Sequence, residues 1–366
     1  MKTALVYNPK IRKYGFGKGH PFTSERFESF IAFAKENIPG FEQNLEMIEP
    51  GPASENDLKL VHTEKYIEVM KKASRGIKVK NLLDYVTPDN LNPSTGYLPE
   101  GMHEAGKIAV GSSLKAAELV LQEKFKKAIS LGGGLHHAKP EKGEGFCIYN
   151  DVAVTAKHLL RKGIKKVLIL DTDAHAGNGT AEIFYEEPSV LLIDFHQDPA
   201  TLYPGTGFPE QRGRGKGEGF TVNIALPPDT GDDAWQYCFE QIVFPLTEEF
   251  GPEIIIRNGG SDPYFADGLT NLGLTLKGLR MVGENVRKIS QKVCEGREVD
   301  LIASGYNQNI LPQAWTSLIS GLLDLEIKIT EPKNPDFPSS FKLEETKEKM
   351  EGLKEELKPF WKCFRY

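Results

Sequence analysis

The sequence predicts an α/β fold: a single domain with one mostly parallel sheet, helices on both faces, and a site at the C-terminal ends of the strands. Three observations predict it. Short, nearly all-apolar runs recur along the chain, such as VLIL at 167–170 and LLI at 191–193, as expected of strands buried on both faces. Longer stretches with apolar residues at helical spacing separate these runs. Polar residues able to do chemistry stand directly after the apolar runs.

The candidate strands are 3–7, 127–131, 166–170, 190–195, 253–257 and 300–304. The candidate helices are 106–124, 150–162 and 276–293, each with a helical apolar period. Two segments read as long loops. Residues 84–101 are rich in Pro, Gly and Asn, and 198–219 are richer still; loops of this length inside a domain usually serve function. From about residue 331 a proline-rich link leads into a charged helical run, KLEETKEKMEGLKEELK. A solvated surface helix is the simplest expectation for it. Its aromatic end, PFWKCFRY, could dock it onto the body or onto a partner.

With 366 residues the chain has room for one large domain or two ordinary ones. Its formal net charge of −6 offers no broad basic field to nucleic acid or an anionic membrane. A mildly acidic surface suits cationic partners instead. Cys147, Cys238, Cys294 and Cys363 are scattered and form no CxxC pair. Neither a disulfide framework nor a thiolate zinc site is expected. The apolar stretch in MKTALVYNPK is too short for a signal peptide. No run of about 18 apolar residues is present to span a membrane. The expected compartment is the cytoplasm.

In a parallel sheet the C-terminal ends of all strands share one edge. Five segments therefore converge there. They bring His136 and His137 after a triple glycine, then Asp171, Asp173 and His175, then Asp194 and His196, then Asp262, and finally Tyr306. Asp173 and His175 are two apart, so in an extended segment both side chains point to one side. A catalytic zinc takes three protein ligands and keeps an open position. Asp262, after Gly259 and Gly260, is the natural third. Zinc lowers the pKa of water to about 7, and a histidine base suits the next proton transfer. His136 and His137 are candidates for that base, with Asp171 and Asn178 as partners that fix their tautomers. Tyr306 is the candidate hydroxyl donor to an oxyanion.

These residues carry a resemblance. The stretches GHPFTSER (19–26), LGGGLHHAKPEKGEGFCIYND (131–151), DTDAHAGNG (171–179), YPGTG (203–207), NGGSDPYFADGLTNLGLT (258–275) and SGYN (304–307) occur in the order typical of the histone deacetylase superfamily. The chain resembles that superfamily, which includes acetoin-utilisation and acetylpolyamine amidohydrolase relatives, from about residue 1 to about 320.

The resemblance implies a catalytic domain over 1–330, with 331–366 as a helical extension. It implies Asp173, His175 and Asp262 as zinc ligands. His137 becomes the general base and then acid, with His136 its neighbour, paired to Asp171. Tyr306 becomes the oxyanion donor. Gly145 and Phe146 form one wall of an acyl-lysine tunnel, Tyr203 faces them, and Leu269 lines the mouth. Arg26 lies behind the metal, near the acetate exit. Asp89 is assigned to the rim, where the family clamps substrate backbone. A structural potassium ion is implied beside Asp171 and Asp194, with backbone carbonyls near Asp173, His175 and Phe195. Ferrous iron stays open against zinc, because Asp-His-Asp ligation suits both.

Several positions depart from the family pattern. Ala176 stands where a second histidine is usual, Asn178 where an aspartate is common, Asp194 where a serine is common, and Tyr203 where a phenylalanine is common. The 87–102 segment is longer than usual. Arginase-like enzymes share the fold but need extra carboxylates for a second metal. Here positions 177 and 260 are glycines, which excludes that chemistry.

Acyl-lysine in a protein or peptide is thus the leading substrate, and the apolar Leu269 favours it. A small acetylated amine such as an acetylpolyamine is the alternative enzyme reading. A catalytically weak acyl-lysine binding protein is the alternative of a different class. Self-association is left open.

Overall fold

The computed structural model describes residues 2–365. Eight parallel strands form one sheet: β1 (Thr3–Val6), β2 (Leu45–Ile48), β3 (Lys127–Leu131), β4 (Val167–Asp171), β5 (Val190–Gln197), β6 (Thr221–Leu226), β7 (Ile254–Asn258) and β8 (Glu298–Ile302). Their spatial order is β2-β1-β3-β8-β7-β4-β5-β6, so the strands that carry the polar residues are neighbours. The expected α/β class and single parallel sheet are what the chain forms.

The apolar runs are continuous because both faces are covered. Leu168 and Leu170 point into one core layer, with the helices Arg26–Asn37, Leu276–Cys294 and Leu311–Leu323. Val167 and Ile169 point into the other, against Met102–Leu121 and Asp151–Arg161. Burying each such side chain stabilises the fold by roughly 1.5–3 kcal/mol.

Two strands escaped the sequence reading, and both lie at the sheet edges. β2 is four residues long, and Glu46 and Met47 in it are exposed. β6 is buried along its length, but Asn223 interrupts its apolar run. β5 continues through Gln197, so Asp194 and His196 stand inside the strand rather than beyond its end.

The C-terminal helix, Leu343–Leu357, is not solvated all round. Met350, Leu353 and Leu357 are buried, as are Trp361 and Phe364 beyond it. The aromatic end packs back onto the body of the same chain, where Trp361 and Phe220 meet edge to face at 5.2 Å. Among the described residues, no helix is long and apolar enough to cross a membrane.

Candidate active site at the C-terminal edge of the sheet

The triple glycine after β3 makes the turn that launches His136 and His137. Asp151, at the start of the Asp151–Arg161 helix, accepts from the backbone N–H groups of Gly134 at 2.9 Å and Leu135 at 2.8 Å. Ser113 donates to the same carboxylate at 2.6 Å. Asn150 caps that helix and also donates to the carbonyls of His136 and Ala138, both at 3.1 Å. One helix N-terminus therefore holds the histidine turn on both sides.

Both imidazoles are buried and face each other, with 3.2 Å between their Nε2 atoms. His136 Nδ1 lies 2.8 Å from Asp171 Oδ2, on the last residue of β4. Asn258, on the last residue of β7, donates to that same oxygen at 2.8 Å. Burial disfavours a charge on His136, but the carboxylates of Asp171 and Asp173 outweigh it and hold its pKa at about 9. His137 behaves oppositely. Burial, then the neighbouring His136 and His175, hold its pKa well below that of a free imidazole. Adjacent residues are thus set to different protonation states, as acid–base chemistry requires.

Asp173, His175 and Asp262 come together from two strand ends, and their ligand atoms all lie within 4.8 Å of one another. His175 Nδ1 is 3.1 Å from Asp173 Oδ1 and 3.1 Å from Asp262 Oδ2. The free oxygen of Asp262 accepts from Ser304 Oγ at 2.6 Å. A Cβ on Gly260 would stand 2.1 Å from the Ser304 carbonyl, so only glycine allows this approach. Burial and the facing Asp173 charge push the Asp262 carboxyl well up. Two buried carboxylates aimed at one point are the donor set of a divalent cation, and these residues fit one.

Aromatic rings frame the approach. Tyr306 sits edge-on to His175 at 6.3 Å and to Phe146 at 5.8 Å. Its backbone N–H donates to Asp267 at 2.6 Å. Burial, with Asp262 and Asp173 nearby, raises its pKa and keeps it a hydroxyl donor. Tyr203, 45% exposed, has its ring 5.2 Å from that of His137. Gly145 must be glycine, because a Cβ there would lie 2.3 Å from His137 Cδ2. Phe146 follows with φ of 66°, a strained backbone that non-glycine residues rarely adopt. A cavity of about 20 Å³ is lined by His136, His137, Phe146, Asp173, His175 and Tyr306, among others.

The remaining expected residues take these positions. Asp89 accepts from the Phe146 N–H at 3.3 Å, beside the aromatic frame. Leu269 is 38% exposed, two residues beyond Asp267, which accepts from its N–H at 2.9 Å. Arg26 is fully buried and donates to the carbonyls of Thr23, Ala303 and Pro21, with its guanidinium 5.4 Å from the Tyr306 ring centre. Asp194 pairs with Asp171 across β4 and β5. Its oxygens accept from Gly177 N–H at 2.8 Å and face His196 Nδ1 at 3.1 Å. Ala176 lies close to His196, since a Cβ on Gly207 would be 2.8 Å from both. An imidazole from β5 thus stands next to the position where the usual one is missing.

Glu144, Asn258, Asp151, Asn150 and His62 stand in or beside the site without being expected there. Asn150 and Asp151 carried a signal, an Asn-Asp pair heading an amphipathic stretch. His62 carried none. It accepts from the Asn150 N–H at 2.9 Å, from 88 residues away in sequence.

The fold and the site together define a class: α/β proteins that gather a buried carboxylate–imidazole cation site and a histidine pair at the C-terminal edge of a parallel sheet. The chain belongs to the histone deacetylase family, whose domain matches residues 20–322. A probable deacetylase of Archaeoglobus fulgidus is 34% identical over the whole of both chains. The acetoin utilization protein AcuC of Staphylococcus aureus is 35% identical over 89% of this chain and 83% of its own. The crystal structure of the HDA15 HD domain superposes with a TM-score of 0.82 at 24% identity, covering 100% of this chain and 97% of that one. Membership carries the coarse activity, hydrolytic deacetylation, and a divalent metal for which Asp173, His175 and Asp262 are the candidate ligands.

Proposed function

We propose that this protein is a zinc-dependent deacetylase that hydrolyses the amide of N-acetyl (acyl) lysine. The observation that carries this is the meeting of three ligand atoms within 4.8 Å of one another with an adjacent histidine pair and one tyrosine. A zinc ion held by Asp173, His175 and Asp262 would polarise the substrate carbonyl and acidify water.

The chain's own residues do the rest. His137, neutral through burial, accepts the proton of the attacking water at Nε2 and returns it to the leaving amine. His136, paired to Asp171, supplies a fixed positive charge beside the developing negative one. Tyr306 donates its hydroxyl hydrogen to the carbonyl oxygen as that oxygen gains charge. Phe146 and Tyr203 hold the aliphatic stem, Leu269 meets the mouth, and Asp89 receives substrate N–H groups at the rim. Arg26 serves the acetate side behind the metal. A potassium ion belongs beside Asp171, with Asp194 adding negative charge to that neighbourhood. The catalytic unit spans 1–330, with 331–366 as a helical extension, and it acts in the cytoplasm.

The Asp89 carboxylate beside Phe146 favours a second reading, in which the amine is a small acetylated polyamine cation. Acetate release from acetyl-lysine peptides and from acetylated polyamines, assayed side by side with the zinc-loaded protein, separates the two. Peptide turnover supports the leading reading. Turnover of polyamines alone moves the substrate to small amines and makes the 87–102 segment the filter. Turnover of neither contradicts acetyl hydrolysis.

A further inference from the structure

Glu144 takes no part in the chemistry described above, yet it is a buried carboxylate beside the site. Its Oε2 accepts from Asn178 Nδ2 at 3.1 Å. Asn178 Oδ1 in turn faces His137 Nδ1 at 2.8 Å. Lys139 and Lys142 flank the carboxylate at 3.4 and 3.5 Å, one on each oxygen. An ionised carboxylate only accepts hydrogen bonds. It therefore chooses the face of the Asn178 amide: the NH2 group must turn to Glu144, and the oxygen must turn to His137.

That choice matters because an amide is two-sided. Turned over, Asn178 would present NH2 to His137 Nδ1. Nδ1 would then have to accept, and the ring proton would move to Nε2. Nε2 is the nitrogen that faces His136 and the site. An aspartate at 178 would accept from Nδ1 with either oxygen and need no such selection. A chain with asparagine there needs a second group to set its orientation. We propose that Glu144 is a positioning residue for His137, acting through the Asn178 amide to hold the imidazole as its Nδ1–H tautomer. This rests on the reading of His137 as the proton acceptor.

A plain structural role, pairing with Lys139 and Lys142, makes a different forecast, so a rescue experiment separates the two. Glu144→Ala is made alone and together with Asn178→Asp. For each zinc-loaded protein, kcat and KM are measured on the acetylated substrate. Long-range ¹H–¹⁵N NMR reports which nitrogen of His137 carries its proton.

The expected result for Glu144→Ala is a kcat loss of roughly tenfold or more with KM little changed, together with ¹⁵N shifts that show protonation moving to Nε2. Adding Asn178→Asp restores most of the kcat and the Nδ1–H signature. Unchanged kcat and tautomer in Glu144→Ala, or a double variant as impaired as the single one, overturns the proposal. If Glu144→Ala does not fold, Glu144→Gln keeps the shape but can offer NH2 or C=O. It is then expected to give a mixture of tautomers, and a pure Nδ1–H state would overturn the proposal. A wild type without turnover defeats the deacetylase reading, while the NMR arm still decides the role of Glu144.

Discussion

Trp361, near the C-terminus, donates its indole N–H to the carbonyl of Gly219 at 2.8 Å. Gly219 closes the loop that carries Tyr203. The same segment holds that loop elsewhere: Lys349 pairs with Asp198 at 2.9 Å, and Glu356 with Arg212 at 2.6 Å. Trp361→Ala removes a buried ring and this bond, and is expected to cost about 3 kcal/mol of stability. Loosening of the Tyr203 loop should raise KM more than it lowers kcat. Denaturant unfolding and steady-state kinetics on one preparation check both.

Asp151 ties the helix to the histidine turn. Asp151→Ala leaves the Gly134 and Leu135 N–H groups without their acceptor inside the protein. Each such loss costs roughly 1–3 kcal/mol. We expect a marked fall in melting temperature and a fall in kcat, because His136 and His137 lose their fixed starting point. Asp151→Asn, which keeps one acceptor oxygen, should fall between the two. An Asp151→Ala protein with wild-type melting and kcat would show that the turn is held by other means.

Acid sensitivity follows from His62. It is buried between the Asn150 N–H and the Lys139 carbonyl, and burial lowers its pKa to about 4. An unfolded histidine titrates near 6.5. The unfolded chain therefore binds this proton first as pH falls. The contribution of neutral His62 is full above about pH 6.5 and is lost progressively down to about pH 4, on the order of 3 kcal/mol in all. His62→Gln should flatten stability against pH over that window, although it lowers stability at pH 7.5. An unchanged slope in urea unfolding series between pH 7.5 and 4.5 would contradict this.

Metal binding should show as stability. Zinc added to metal-free protein is expected to raise the melting temperature, since a ligand at a thousandfold excess over its Kd adds about 4 kcal/mol. Asp262→Asn should remove most of that shift, because one of the three candidate ligands no longer offers an anionic oxygen. Differential scanning calorimetry with and without zinc measures both effects.

Much of this was legible in the sequence. Leu168 to Leu170 and Leu191 to Ile193 could be read as strands because burial on both faces makes them apolar throughout. Strand ends in a parallel sheet share an edge, so the sequence alone places Asp173, His175 and Asp262 together. What stayed hidden depends on pairings between distant segments. β2 has only Leu45 and Ile48 turned from solvent, too weak a pattern to see. The docking of the C-terminal helix rests on Met350, Leu353 and Leu357, three apolar positions within a strongly charged run. Glu144 is one of several charges in KPEKGEG, and only its distance to Asn178 sets it apart.

In the proposed reaction His137 and Tyr306 act on an amide held at the Asp173–His175–Asp262 centre. Acetate release from an acetyl-lysine peptide tests it most directly, with the zinc-loaded wild type, His137→Ala and Tyr306→Phe assayed together and the zinc content of each determined. Turnover by the wild type and a loss of at least about a hundredfold in kcat for each variant, at unchanged zinc content, are expected. Variants that keep wild-type kcat, or a zinc-bound wild type without turnover, would contradict it.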